Sequence, residues 1–252
     1  MEEKFILELL EKGKRIDNRA FDEFRPIEIL KGIVKKAEGS ARVRLGLTEV
    51  IAGVKIDLAT PFKDTPDEGI LIVNAEFTPL ASPFFESGPP GEDAIELARV
   101  VDRAIRESKC IDMKKLVLVA GEKVFSVFID IHIINHEGNL IDAAALASVA
   151  ALTNTKIPKV ENEETIIRGE YEKDLPLLYK PITITIGKLK DAFLVDPNLK
   201  EENVLEAKLS IGVRDDNKIC AMQKQGKAFR YSEIEKIVEL AIKKSEELRR
   251  LI

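Results

Sequence analysis

Three arginines spaced along one predicted helix are the side chains best suited to bind an anion. The Gly-Pro-Pro-Gly run at 88–91 breaks regular structure, and the pattern that follows predicts a helix over 92–109. At about 100° per residue, Arg99, Arg103 and Arg106 fall on the side opposite the apolar arc of this helix. Aligned guanidinium groups can hold phosphates through paired hydrogen bonds.

The same arginines also fit a purely structural interpretation. Glu96, Asp102 and Glu107 lie three or four residues from them, so each arginine could pair with a carboxylate on the helix surface. Each such pair contributes only about 0.2–0.5 kcal/mol to helix stability. The helix alone leaves both interpretations open.

Histidine and cysteine offer little chemistry here. His132 and His136 are four residues apart, but a strand and a turn cannot present them as a helical metal pair, so structural roles are favoured. Cys110 and Cys220 lie far apart without metal-ligand spacing, which favours buried thiols over a disulfide or zinc site.

An acidic segment near the C-terminal third offers another candidate site. Its carboxylates are the ligand type that magnesium prefers. Lys200 and Lys208 lie among them and would compete with a metal ion, so a solvated face is favoured. The five carboxylates are Asp191, Asp196, Glu201, Glu202 and Glu206.

Composition narrows the classes of function. The 252 residues include 39 Lys and Arg against 44 Asp and Glu, a net charge of −5, which argues against nucleic-acid binding over the whole surface. Any such contact must be local or shared with a partner. The chain has no apolar run of 18 residues and no basic secretory start, so we expect a cytoplasmic protein without membrane contact.

The order of elements predicts an α+β fold with mixed sheets. The chain reads as one domain over 1–252, with halves at about 12–157 and 158–252 and a weak boundary in the polar stretch 158–164. A loop containing Arg15, Arg19 and Arg25 could be tied down by carbonyls and carboxylates. The predicted elements are a helix at 2–12, an extended run at 27–36, hairpins at 38–58 and 115–134, a strand at 70–78, a buried helix at 141–152, strands at 165–168, 181–187, 191–196, 205–213 and 217–224, and a helix at 232–250.

Several motifs give the chain a family resemblance. Arg15-x-Asp-Asn-Arg19, Arg25-Pro-Ile27, Gly39-Ser-Ala41 and Gly46-x-Thr-x-Val50 resemble the RNase PH family of phosphorolytic exoribonucleases. Two longer stretches narrow the resemblance to the non-catalytic RNase PH-like subunit of the archaeal exosome. They are Glu86-x-Gly-Pro-Pro followed by Ala94-Ile-Glu-Leu-Ala-Arg-Val-Val-Asp-Arg103, and Leu146-Ala-Ser-Val-Ala-Ala-Leu-x-Asn-Thr-Lys156. The resemblance implies an RNase PH-like fold with a βαβα core like that of ribosomal protein domain 2.

The resemblance also implies that this chain has lost its own phosphorolytic centre. Active members carry phosphate-binding arginines, a Gly-Gly-Ser/Thr-Arg loop, and two aspartates six residues apart for acid and metal chemistry. The corresponding positions here are Glu92 with Asp93, Gly138-Asn-Leu-Ile141, and Glu202 or Asn203 with Lys208. No catalytic residue, metal site or cofactor is therefore expected in this chain, and inorganic phosphate and Mg²⁺ would act at a partner subunit.

The family's assembly supplies the expected partners. Three copies of this chain would alternate with three of a catalytic RNase PH-like subunit in a ring of six, capped by RNA-binding subunits with OB-fold and KH domains. Single-stranded RNA would be shortened from its 3′ end. Arg99 and Arg103 match arginines that hold RNA phosphates in that family, and Arg106 is a possible third. Two alternatives are an autonomous phosphate-dependent exoribonuclease and a scaffold that never touches RNA.

Overall fold

The computed structural model describes residues 2–252, and this range contains five α-helices, twelve strands and one 3₁₀ turn at Met113–Leu116. The helices are α1 (Glu2–Glu11), α2 (Glu92–Glu107), α3 (Leu140–Leu152), α4 (Leu199–Glu202) and α5 (Tyr231–Arg249). The strands are β1 (Ile27–Lys31), β2 (Gly39–Leu45), β3 (Thr48–Ala59), β4 (Ile70–Phe77), β5 (Val117–Val119), β6 (Lys123–Asn135), β7 (Lys156–Glu161), β8 (Thr165–Asp174), β9 (Ile182–Leu189), β10 (Ala192–Val195), β11 (Ala207–Val213) and β12 (Ile219–Gly226).

These elements stack in four layers. The first sheet has the order β1-β2-β3-β6-β4, with β5 beside β6, and it is mixed because β4 and β6 run parallel. The second sheet has the order β10-β9-β11-β12 and its pairings are antiparallel. Helices α2 and α3 lie between the sheets, and α5 packs on β9 and β11. The sheet-helix-sheet-helix order confirms the predicted α+β architecture.

Hydrophobic patterning explains this order. Val50, Ala52, Val54 and Ile56 alternate along β3 and are fully buried, so one face of the first sheet meets the helices. Strand β9 is buried on both faces, as a strand between two helical layers must be.

Helix α3 joins the two sheets. It packs against β2 and β3 on one side and β9 on the other, and its residues from Ile141 to Leu152 are all buried. The small alanine side chains of α3 allow the helix to approach both sheets closely. The sequence of α3, which is apolar on all sides, predicts this burial. Among the described residues, no helix is both long and apolar enough to cross a bilayer.

The largest differences from the sequence prediction lie in the β7–β8 hairpin. Strand β7 crosses the suggested boundary, and β8 continues to Asp174 instead of ending near 168. The charged, largely exposed side chains of β8 lack the apolar alternation of a half-buried strand. Pro158 adds to the difficulty, because a proline argues against a strand unless the pairing is irregular, and the β7–β8 register shifts there.

Candidate nucleic-acid interface

Helix α2 presents its predicted apolar arc to the core and its other side to solvent. It packs on β4, α3 and β12. Glu92 and Asp93 occupy its first turn, where negative charge is favourable. The arc is buried as predicted and comprises Ala94, Leu97, Val100, Val101, Ala104 and Ile105.

Arg99 is the arginine of the stripe that is free to bind an anion. Its side chain is exposed, and among the side chains that the structure describes it has no hydrogen-bond or ion-pair partner. A guanidinium carries five N–H donors, and all of those of Arg99 are available.

Arg103 is held in place by a neutral side chain. Its Nη1 donates to Gln223 Oε1 on β12 at 3.2 Å. Gln223 Nε2 donates in turn to Glu96 Oε1 at 3.0 Å, and Gln225 Nε2 donates to the same oxygen at 2.6 Å. Glu96 therefore ties α2 to β12 rather than pairing with an arginine of the stripe.

Arg106 fits the structural interpretation, in which an arginine of the stripe pairs with a carboxylate on the same helix. Its Nη2 donates to Asp102 Oδ1 at 2.7 Å and to the Leu71 carbonyl of β4 at 2.9 Å. The hydrogen bond with Asp102 raises the pKa of Arg106 above its ordinary value. This arginine joins α2 to the first sheet, whereas Arg99 is exposed and Arg103 is half-buried against β12.

Each of the three groups of positions at which the chain departs from active relatives contributes a residue to a pocket of about 260 Å³ beside the start of α2. Asp93 and Glu96 line it from α2, while Glu202 and Lys208 line it from the second half of the chain. The resemblance treats these positions separately, and the fold brings them together.

This pocket does not fit a divalent metal ion. Glu202 is ion-paired with Lys208, and its Oε2 accepts the backbone N–H of Asn139 at 2.9 Å. A metal ion at Glu202 would have to displace an ammonium group. Within residues 2–252, no three His, Cys, Asp or Glu side chains are grouped so that they could hold a metal ion.

His136 beside the pocket has a structural role. Its ring stacks on Phe85 at 5.5 Å between centroids, and its Nδ1 accepts the Gly138 N–H at 3.3 Å. Burial lowers the pKa of His136. The other histidine, His132, lies on β6 with Nδ1 3.5 Å from Glu76.

The solvated-face prediction is wrong for Asp196 and Glu201, because both are fully buried. Arg25 grips both oxygens of Asp196, at 2.7 and 2.9 Å, and Arg15 grips both oxygens of Glu201, at 2.5 and 2.9 Å. Arg19 adds a hydrogen bond to Asp196 at 3.1 Å. The arginine loop is thus structural, and it neutralises carboxylates that lie more than 170 positions away.

Asp142 is an important buried acid that sequence analysis missed. Its Oδ2 accepts the Thr185 N–H and the Asn139 side-chain amide, both at 2.9 Å, and its Oδ1 accepts the Thr185 hydroxyl at 2.7 Å. Burial raises the pKa of Asp142 to about 7 against the opposing effect of these hydrogen bonds. The sequence did contain an indication of this buried acid, because Asp142 is the single acidic residue of the otherwise apolar helix α3.

The cysteines are unreactive thiols. Cys110 is buried and Cys220 partly buried, and neither forms a disulfide. Burial raises the pKa of Cys110 to about 12 and that of Cys220 to about 11, so both stay protonated near neutral pH.

Comparison with known proteins places the whole chain in one family. Residues 23–158 match the 3′ exoribonuclease family, domain 1, and residues 180–244 match its domain 2. The exosome complex component Rrp42 of Thermococcus gammatolerans is 51% identical over 251 residues, covering 98% of this chain and 92% of the relative. That of Methanothermobacter thermautotrophicus is 47% identical over 248 residues, covering 97% and 92%.

Solved structures agree with this placement. A chain of the Archaeoglobus fulgidus exosome with RNA bound to the active site has a TM-score of 0.93 and 44% identity, covering 99% of this chain and 96% of that chain. Rice Rrp46, at 20% identity and a TM-score of 0.70, covers 94% of this chain and 97% of that chain and shares the fold. This chain therefore belongs to the RNase PH, or 3′ exoribonuclease, family.

Proposed function

We propose that this chain is a non-catalytic subunit of an exosome, which degrades RNA from the 3′ end by phosphorolysis, and that Arg99 and Arg103 grip RNA phosphates for the partner's active site. The observation that carries the proposal is the unpaired, exposed Arg99 one helical turn from Arg103. Contacts to phosphates alone position a strand without reading its sequence, which suits an enzyme that degrades many RNAs. The relatives named as exosome components and the RNA-bound exosome structure support this assignment.

The charges in the pocket beside α2 support the non-catalytic part of the proposal. Asp93, Glu96 and Glu202 place carboxylates around the cavity, and the ammonium group of Lys208 is already paired with Glu202. A phosphate ion entering this cavity would meet repulsion from like charges. Phosphate and Mg²⁺ would therefore be used at a partner subunit.

The proposed assembly is a trimer of heterodimers with a catalytic RNase PH-like subunit, capped by subunits carrying OB-fold and KH domains, and acting on single-stranded RNA in the cytoplasm. In this arrangement the basic contacts of this chain are local. A net charge of −5 is compatible with such a patch.

A charge-reversal experiment in the reconstituted complex tests the RNA grip. The double variant Arg99→Glu/Arg103→Glu is expected to assemble normally, because neither arginine pairs with another charge among the side chains that the structure describes. Its affinity for single-stranded RNA should fall about tenfold or more at low salt, with a smaller loss at high salt. RNA decay should become slower and less processive.

The matched control is Lys236→Glu/Lys243→Glu on the exposed side of α5, which changes the net charge equally. It should leave RNA binding close to that of the wild type. If the arginine variant bound RNA as tightly as this control at low salt, the gripping role would be lost and the scaffold alternative would stand.

The autonomous-enzyme alternative needs a separate assay. Purified chain without partners is incubated with single-stranded RNA, inorganic phosphate and Mg²⁺, and nucleoside diphosphates are measured. We expect no release above background. Phosphate-dependent release that persists after repeated purification would overturn the non-catalytic assignment.

A further inference from the structure

A row of polar side chains crosses the second sheet between the buried Asp142 and Arg103. Thr185 of β9 pairs in register with Ser210 of β11, and Ser210 pairs in register with Gln223 of β12. Side chains directly opposite one another on adjacent strands lie on the same face of the sheet. We call Thr185, Ser210 and Gln223 the polar row. Asp142 binds its β9 end and Arg103 its β12 end, so the row joins the start of α3 to the middle of α2.

A small cavity lies where the polar row meets Arg103. Its volume is about 10 Å³, the space of about one water molecule, and it is bounded by α2, β9, β11 and β12. The polar residues of its lining are Arg103, Thr183, Ser210 and Gln223. A buried water needs roughly two to four polar partners, and these side chains offer both donors and acceptors. The cavity therefore has the size and the lining of a site for one water molecule.

The hydrogen bonds of the polar row have one direction while Asp142 is ionised. The Thr185 hydroxyl donates its proton to Asp142 Oδ1 at 2.7 Å, so it can only accept from the Ser210 hydroxyl, which is 2.7 Å away. The proton of Ser210 is thereby used, and its oxygen offers only lone pairs to the cavity. Such an acceptor attracts the guanidinium of Arg103 towards the cavity, because arginine carries donors only.

Protonation of Asp142 reverses this direction. Its Oδ2 already accepts the Thr185 N–H and the Asn139 side-chain amide, both at 2.9 Å, so an added proton belongs on Oδ1. The carboxyl group then donates to the Thr185 hydroxyl, which turns its proton to Ser210, and Ser210 turns its own proton to the cavity. A proton on that side no longer attracts a guanidinium, so Arg103 is left to an external phosphate.

The surroundings of Asp142 place this reversal near neutral pH. Burial, with a smaller contribution from the charge of Asp196, raises the pKa of Asp142 to about 7. Strands β2 and β3 pack on α3 with buried apolar side chains. Burial lowers the pKa of His136, in the turn before α3, below its ordinary 6.5. The other charged groups around this end of α3 are Arg25 paired with Asp196, Glu202 and Lys208 paired beside Asn139, and Arg103 beyond the cavity.

We infer that Thr185 and Ser210 are positioning residues for the RNA grip, which act on Arg103 through one water molecule in this cavity under the control of Asp142. The inference rests on the proposed function of Arg103. It implies that the complex binds RNA more tightly when Asp142 is protonated, below about pH 7, than when it is ionised. If the two hydroxyls only satisfied each other inside the fold, their removal would not change how RNA affinity depends on pH.

Ser210→Ala separates these interpretations, because it cuts the row beside the cavity and leaves the hydrogen bond from Thr185 to Asp142 in place. The complex with the catalytic RNase PH-like subunit is titrated with single-stranded RNA at about pH 6 and about pH 8, at constant low salt and without phosphate or Mg²⁺. From the lower to the higher pH, the wild type should lose about threefold more affinity than Ser210→Ala, the effect of about one net hydrogen bond. Asp142→Asn, which cannot ionise, should match Ser210→Ala.

The matched control is Ser245→Ala, at a buried serine of α5 whose hydroxyl donates to the Ile242 carbonyl at 2.7 Å. It should keep the pH profile of the wild type. A wild-type profile in Ser210→Ala, or an equal loss of affinity at both pH values, would overturn the inference and leave the RNA grip standing. Failure of Arg99→Glu/Arg103→Glu to weaken RNA binding would instead contradict the proposed function.

Discussion

Arg103 is held by an amide rather than by a carboxylate, and this bears on its capacity to bind phosphate. A carboxylate partner such as Asp102, which holds Arg106, competes with an incoming phosphate for the guanidinium. The neutral Gln223 fixes the position of Arg103 and leaves its charge uncompensated. The three arginines therefore form a graded set: Arg99 has no partner among the described side chains, Arg103 is positioned by a neutral amide, and Arg106 is paired with a carboxylate.

Gln223→Met tests whether this amide positions Arg103. Methionine has a similar length but cannot accept the hydrogen bond, so RNA affinity of the complex should fall about threefold through the loss of one net hydrogen bond. The slope of log affinity against log salt should not change, because no charge is removed. By comparison, Arg103→Ala should reduce that slope by about one. Unchanged RNA affinity in the methionine variant would leave Gln223 as a tie between β12 and α2 only.

Asp142 makes the stability of the chain depend on pH. Its folded pKa of about 7 lies above the ordinary 3.8, so the folded chain binds an extra proton between these values. The associated stability is fully present below about pH 4 and is lost as pH rises through about 7.

Asp142→Asn removes the ionisation, and its amide can turn to face the Thr185 and Asn139 groups. Urea denaturation should show the free energy of unfolding of Asp142→Asn improving relative to the wild type from pH 4.5 to pH 8. A difference that stays constant over this range would contradict the shifted pKa.

Whether a charged residue is buried was the hardest property to predict at this scale. The stripe on α2 follows from helical periodicity, because its neighbours in space are close in sequence. The partners of Asp196 and Glu201 come from a loop at the other end of the chain, so local sequence makes both carboxylates resemble a solvated cluster. The feature of the sequence that indicated burial was the loop with three arginines, because these arginines require carboxylate partners elsewhere in the chain.

At the scale of elements, the arginine loop joins the N-terminal segment to the second sheet and to the turn before α3. Arg25 binds Asp196 next to β10, and its Nη1 donates to the Glu137 carbonyl at 2.7 Å. Asp196 Oδ1 also accepts the Asn139 side-chain amide at 2.9 Å. Burial alone raises the pKa of Asp196, but the hydrogen bonds and charge of Arg25 outweigh it, so this pKa lies below its ordinary value.

Arg25→Met should be strongly destabilising. It removes the cation that binds both oxygens of the buried Asp196 and leaves that carboxylate with the contact from Arg19 at 3.1 Å. Breaking a buried ion pair in this way typically costs about 3–5 kcal/mol. The free energy of unfolding from urea titration measures the effect. Arg44→Met is the control, since Arg44 is 42% exposed and its carboxylate contacts are 3.6 Å long, so its loss should cost no more than about 1 kcal/mol. Equal losses of unfolding free energy in Arg25→Met and Arg44→Met would show that the buried ion pair stabilises the fold no more than an exposed one.

Elements with a strong apolar period were predicted well, and those held mainly by tertiary contacts were not. The structure bears out helices α2 and α3 and the β2–β3 hairpin because burial and periodicity coincide in them. The sequence predicts a turn at Gly138, but the packing of this turn against α4 depends on contacts invisible in sequence. Its φ is +90°, and an added Cβ would lie 2.4 Å from the Leu199 backbone nitrogen, so the close approach of α4 requires glycine there.

At the scale of the whole molecule, the two family models match two halves that share one core. The matched ranges, 23–158 and 180–244, leave the β8 region between them. The hydrophobic core is nevertheless continuous, since buried residues of both sheets and of α2, α3 and α5 belong to a single cluster. Helices α2 and α3 form the layer that the two sheets share, and α3 packs on β2 and β3 of the first sheet and on β9 of the second.

We propose on this basis that the chain unfolds as one cooperative unit rather than as two domains. Differential scanning calorimetry of the isolated chain should show one transition, with the calorimetric enthalpy equal to the van't Hoff enthalpy. Ile131→Ala in the first sheet and Ile184→Ala in the second, both at buried positions, should each cost about 2–5 kcal/mol and lower the midpoint of the same single transition. Independent halves would behave differently, because each variant would shift only its own transition and split the peak in two. A split peak in either variant would therefore show that α3 does not couple the sheets, and would place a true domain boundary near the β7–β8 hairpin.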